Sequence, residues 1–150
     1  MTYPQPPVGE IIEKFTVPVQ IDNSNETNAE TVDRFKHIWT PDLRVLDPEL
    51  QELVRWDGYL PPPEFMARLV VSLGLARLRR REFDKAEQHY IDVLRRFPTS
   101  FAAPEAQYYL GVTRYRADPE SNELLHQWAM LRSRYPASEY RLKQSFKELP

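Results

Sequence analysis

Beyond residue 63, apolar side chains recur at the three-to-four-residue spacing that gathers them on one face of an α-helix. Phe65, Leu69, Val70, Leu73 and Leu78 make such a face in a helix that starts at Pro63-Glu64 and reaches a turn at Arg79 to Glu82. Ala86, Tyr90, Val93 and Leu94 make the face of a second helix, which Pro98 stops. A third helix begins at Pro104-Glu105, with Ala106, Tyr109, Leu110 and Val112 or Thr113 inward. A fourth carries Leu124, Trp128 and Leu131 and ends at Tyr135-Pro136. Residues 137–149 predict a short terminal helix whose Tyr140, Leu142 and Phe146 cover the end of the stack.

The pattern before residue 60 is different. Tyr3-Pro4-Gln5-Pro6-Pro7 is too proline-rich for regular structure, and Val8, Ile11, Ile12 and Phe15 then predict a short amphipathic helix. From Phe15 to Ile21 apolar residues alternate, predicting a strand with Phe15, Val17, Val19 and Ile21 on one face. Pro18 has no N–H to donate, so one side of that strand is expected to be unpaired. Thr27 or Asn28 is placed to cap a helix over 29–37, with Val32, Phe35 and Ile38 inward. Leu43, Val45 and Leu46 predict a second strand, Asp47-Pro48-Glu49 a turn, and Leu53, Val54 and Trp56 a third strand closing a hairpin. Pro61-Pro62-Pro63 separates the two textures. The expected architecture is an α+β unit of about three strands over residues 1–62, followed by an all-α repeat region over 63–150.

Composition narrows the chemistry. A hydrophobic share of 41% and a charged share of 28% are ordinary for a soluble globular protein, and 150 residues bury one good core or two small ones sharing an interface. A formal charge of −2 leaves no basic excess to attract nucleic acid. The absence of cysteine excludes a thiol nucleophile, a disulfide framework, a thiolate zinc site and a dithiol redox couple. Only 4 glycines are present, none arranged as a phosphate-cradling loop. No run approaches the ~18 apolar residues of a membrane helix, and residues 1–7 lack the basic start and apolar stretch of a secretory signal, so a cytoplasmic location is expected. His37, His89 and His126 lie far apart in sequence among polar neighbours, and no cofactor or metal site is expected from them.

The segment from Gly74 to Pro98, with Leu73, Ala86, Tyr90 and Val93, resembles a tetratricopeptide repeat. A fainter copy runs from Leu110-Gly111 through Trp128 and Leu131 to Pro136, one residue longer between glycine and proline. Phe97-Pro98-Thr99-Ser100, the run Ala103 to Gly111 and Arg134 to Ser138 are especially similar to such units in bacterial envelope and scaffold proteins. The resemblance implies packed antiparallel helix pairs that bind other proteins. Two units are fewer than the three usually needed for independent stability. Residues 3–75 resemble the thioredoxin fold. Phe15 to Asp22 looks like that family's second strand, Phe35 to Pro41 like the segment leading to its cis-proline loop, with Thr40-Pro41 at the cis peptide, and Leu46-Asp47-Pro48 and Asp57-Gly58-Tyr59 like its hairpin turn and strand exit. The family's first strand and two-cysteine active site precede the region matched here. That departure leaves three explanations open: a truncated product, a reduced domain, or a sheet that a partner completes by adding a strand.

The candidate contacts follow from these readings. Tyr108, Tyr115 and Arg116 on the third helix are candidate partner-binding residues, because tyrosine and arginine are enriched at binding hot spots. Arg80 and Arg81, in the run with Arg77 and Arg79, form a candidate basic patch that Glu82, Asp84 and Glu87 lie close enough to neutralise in large part. Thr40 and Pro41 are the peptide-binding candidates that the thioredoxin resemblance implies, and residues 3–7 a possible docking tail in polyproline geometry. The expected function is a non-catalytic protein–protein interaction module, an adaptor or accessory subunit of a larger assembly. Its partner, or a second copy, completes the sheet and the repeat stack. The alternatives are the C-terminal part of a thioredoxin-like thiol-disulfide oxidoreductase whose two cysteines lie upstream, and a redox-free peptide-binding chaperone.

Overall fold

The structure, a computed structural model, describes residues 5–144 and divides the chain into two compact units, Met1–Pro62 and Pro63–Pro150. Together they form a mixed α and β chain, mostly helical, with one small antiparallel sheet. The tail residue Tyr3 and the terminal Phe146 lie outside the described residues.

In the first unit, α1 spans Pro6–Phe15. Its prolines stand at the first helical positions, where a missing N–H costs nothing, so Pro6-Pro7 belongs to regular structure after all. Val8 and Ile11 are buried. The helix closes where the Thr16 N–H and hydroxyl both donate to the Ile12 carbonyl, at 2.9 and 2.7 Å.

The strand expected over Phe15–Ile21 does not form. Val17 to Ile21 makes no backbone hydrogen bond to any described residue, and Val17 and Val19 are 88% and 76% exposed. The sheet therefore has two described strands instead of about three. The physical reason is pairing: an alternating pattern becomes a strand only beside another strand, and Pro18 already spoils one edge.

Asp22 starts a tight turn, its carboxylate accepting from the Ser24 N–H and hydroxyl at 2.9 and 2.7 Å. Asn25 caps the following 3₁₀ turn, Glu26–Asn28, its side chain accepting from the Thr27 N–H, and Asn28 then stands at the N-cap position of the next helix, as expected, though its side chain makes no capping hydrogen bond. Helix α2 is short, Ala29–Arg34, and the chain leaves it through Lys36 at φ 50°. Ile38, expected inward, is 74% exposed.

The hairpin pairs β1 (Asp42–Leu46) with β2 (Glu52–Asp57), placing Leu43 opposite Trp56 and Val45 opposite Val54. Asp47 builds its turn by accepting from the N–H groups of Glu49 and Gln51. A two-stranded sheet is marginal alone, and here its side chains are only half-buried. An ionic clasp reinforces it: Arg44 donates to both Asp42 oxygens, to Glu52 and to the Phe35 carbonyl, and Arg55 reaches Asp42 at 3.2 Å. The hydrogen bonds from Arg44 are the main cause holding the Asp42 carboxyl below its ordinary range.

A depressed acid stabilises the fold above its unfolded pKa and loses that contribution as pH falls through the folded value. Urea melts from pH 7 down to pH 3 should therefore show the first unit weakening below about pH 4. Asp42→Asn should be less stable at neutral pH and show a flatter acid limb. An unchanged acid limb in that variant would remove Asp42 as its source.

The second unit stacks α3 (Pro62–Arg79), α4 (Phe83–Arg96), α5 (Ala103–Ala117), α6 (Glu123–Arg134) and the short α7 (Glu139–Lys143). The turn between α3 and α4 is closed by Arg81 N–H to Leu78 O and Glu82 N–H to Arg77 O, with Arg81 left-handed at φ 62°. Where α3 meets α4, the fully buried Tyr90 ring lies against Gly74. Gly111 of α5 meets Gln127 and Trp128 of α6 in the same manner.

Helix α5 is the centre of this unit, packing on α4, α6 and α7. Three contacts in this unit join residues 37 apart: Arg68 pairs with Glu105 of α5, the Phe101 N–H just before α5 donates to Glu64, and the Tyr135 hydroxyl donates to the Pro98 carbonyl. Gly74 and Gly111 stand at that same offset. Tyr140 packs on Tyr108 and Tyr109 at the end of the stack, but Leu142 does not cover it, being 65% exposed.

Candidate interaction surfaces

The expected partner contacts on α5 have separate placements. Tyr108 stacks on Trp128 with ring centroids 5.1 Å apart, and its carbonyl accepts from the Trp128 indole. With Tyr109, Tyr140 and Tyr90 it belongs to a continuous aromatic cluster joining four helices. Tyr115, 44% exposed, and Arg116 lie further along α5, with the Arg116 guanidinium 5.9 Å from the Phe83 ring centre.

Arg80 and Arg81 are exposed at the end of α3. Of the acidic residues expected to neutralise the basic run, Glu82 pairs with Arg77 and Lys85. Glu87 goes elsewhere: together with Glu123 it holds Arg114, so that one guanidinium ties α4, α5 and α6 together.

Sequence reasoning missed Glu105. It is 5% exposed in the first turn of α5 and ion-paired to Arg68. Burial, followed by the neighbouring tyrosine and carboxylate, pushes the Tyr90 phenol far above its ordinary range, and burial and Glu105 do the same to Tyr140. Both therefore stay neutral. Burial likewise lowers the His89 imidazole. A second buried polar line, Gln107 to Gln127 at 2.7 Å and Gln127 to Glu123 at 3.2 Å, links α5 to α6. The Tyr90 and Thr113 hydroxyls are buried without a hydrogen-bond partner. In sequence, Glu105 carries no signal of burial, because it reads as a first-turn acid favoured by the helix dipole.

In the first unit, the Thr40-Pro41 peptide is cis, the isomer that the thioredoxin resemblance implied. The Thr40 hydroxyl sits within hydrogen-bond reach of Asn23 Nδ2 at 3.2 Å and His37 Nε2 at 3.1 Å. Beside it an open cleft of about 590 Å³ is lined by the Asn23–Glu26 turn and by Val32, Asp33, Lys36, His37 and Ile38. Trp39, next to Thr40, is 67% exposed. The cleft's lining mixes polar side chains with Ala29, Val32 and Ile38. Among the described residues no group of three or more His, Asp or Glu side chains is placed to hold a metal ion, and no helix is long and apolar enough to cross a membrane. The chain matches no protein-family model, no curated protein and no solved structure.

Proposed function

We propose that this chain is a non-catalytic interaction protein, an adaptor or accessory subunit, whose N-terminal unit is covered by another polypeptide. One observation carries the reading: large apolar side chains stand exposed at many positions between Phe15 and Tyr59, and the strands of this unit are themselves only half-buried. Exposed apolar surface of that density marks an interaction site. Val17, Val19, Ile38 and Trp39 are the main contributors.

The first unit is read as a reduced thioredoxin-like domain and α3–α6 as two tetratricopeptide-like helix pairs. Support for the second part is the glycine–aromatic approach occurring twice, with the glycines 37 and the aromatic residues 38 positions apart, together with the pairing of Arg68 in α3 with Glu105, 37 residues on in α5. The 37-residue offset is a few residues longer than the ~34 of such repeats, which assigns the extra length to the connector before α5.

Purification of the chain from its native cells, with hydrogen exchange read by mass spectrometry, tests this function. Amides of Val17–Ile21 and Ile38–Trp39 should exchange more slowly in the native assembly than in the isolated chain. Equal exchange in both, or turnover of a substrate by the isolated chain, overturns it.

A further inference from the structure

We propose that the occupant of the Val17–Ile21 segment is a second copy of the same segment, paired antiparallel across a two-fold axis at Val19. The proposal rests on the interaction reading above and adds the identity of the partner strand.

The backbone shows why a single edge is available. In an extended chain, alternate residues send their N–H and C=O groups to opposite edges. Thr16, Pro18 and Gln20 share one edge. There the Thr16 N–H already donates to Ile12 and Pro18 has no N–H, so that edge is broken. Val17, Val19 and Ile21 share the other edge, and all of its donors and acceptors are free of hydrogen bonds to described residues. The free stretch has defined ends. Thr16 closes α1, and the Asp22 carbonyl and carboxylate are taken by Asn25, Asn28 and Ser24. The chain enters extended, at φ −137° and ψ 166° on Thr16, and takes no positive φ before Lys36.

That edge is complementary to itself. With Val19 opposite its own symmetry mate, Val17 falls opposite Ile21, and every hydrogen bond of the register uses groups of those residues. None requires the missing Pro18 N–H. Side chains of Val17, Val19 and Ile21 then share one face, where β-branched residues pair well across strands. From Phe15 to Ile21 there is no charged residue, so two copies meet without like-charge repulsion. Natural sheets guard such edges with lysine, bulges or proline. Here the single proline guards only the edge already closed. The contact is short, which predicts a weak, reversible dimer rather than an obligate one.

Sedimentation velocity of the full chain over about 1–500 µM tests this, with two proline substitutions that differ only in the edge they block. Val19→Pro removes a donor from the open edge and should raise the dimer Kd by roughly tenfold or more. Gln20→Pro removes a donor from the broken edge and should leave the dimer intact. Val19→Lys, which keeps the N–H but places like charges opposite each other, should also abolish it. Far-ultraviolet circular dichroism checks that helix content is unchanged in each. A chain monomeric throughout, a dimer that survives both Val19 variants, or equal loss in Val19→Pro and Gln20→Pro overturns the proposal. A monomer whose residues 17–21 are nonetheless protected in the native assembly sinks only the self-pairing and leaves the interaction function standing.

Discussion

Gly74→Leu is expected to unfold the C-terminal unit or to lower its melting temperature by at least about 10 °C. A Cβ at Gly74 would stand 2.7 Å from Tyr90 Cε1 and 2.8 Å from Cζ, closer than packed carbons approach. Tyr90 has no room to yield, since its side chain is fully buried, with Tyr109 stacked 6.2 Å away. Alanine alone should cost about 1–3 kcal/mol from crowding, even though alanine favours a helix over glycine by about 1 kcal/mol. Gly111 is the internal comparison. A Cβ there meets Gln127 Cβ at 3.1 Å and the Trp128 ring at 3.2 Å, a contact relieved by a shift of a few tenths of an ångström. Gly111→Ala should therefore lie within about 1 kcal/mol of wild type, with helix propensity offsetting the crowding. The mechanism adds a further check: Tyr90→Leu should partly rescue Gly74→Ala, and thermal melts of the double-mutant cycle measure the coupling. Wild-type melting of Gly74→Leu would mean that α3 and α4 do not meet at this point.

Arg68→Met should destabilise the same unit by about 3 kcal/mol, because it leaves the Glu105 carboxylate buried without its cation. Arg68 keeps 23% of its side chain exposed whereas Glu105 keeps 7%, so the carboxylate is the partner that cannot turn to water. The loss should fall at the lower end of the range for broken buried pairs. Glu105 lies in the first turn of α5, where the helix dipole favours a negative charge. Replacing both partners, Arg68→Met with Glu105→Leu, should recover most of the stability, since the double change removes the buried charge along with its cation. Urea denaturation of the two single variants and the double variant measures this directly. A double variant as unstable as Arg68→Met would show that the pair sets the register of α3 on α5 rather than balancing a charge.

The helices were legible because their signals are local. Pro63, Pro98, Pro104 and Pro136 punctuate the chain, and an apolar face at helical spacing needs no knowledge of what it packs against. α3 to α6 accordingly lie where the periodicity placed them. The hairpin was legible for a similar reason, since Asp47 specifies its turn from within a few residues. The strand expected at Phe15–Ile21 was not, because alternation describes a strand's faces and says nothing of whether a neighbour exists to pair with it. Of the candidate contacts, Tyr108 and Arg116 were chosen by residue type. Residue type does not distinguish a tyrosine stacked on Trp128 from one facing solvent, and Tyr115 shows the second placement on the same helix.

Two things were determined by the residues alone: the order of the helices, with the punctuation of α3 to α6, and the exclusion of thiol chemistry in a chain without cysteine. Tertiary structure decided which side chains became neighbours. It set Glu105 beside Arg68 across 37 residues, joined Tyr90, Tyr108, Tyr109 and Tyr140 into one cluster, and left Val17 and Val19 in solvent. The division follows from range. Backbone sterics and helical period act within a few residues, whereas burial and strand pairing depend on segments that folding brings together from far along the chain.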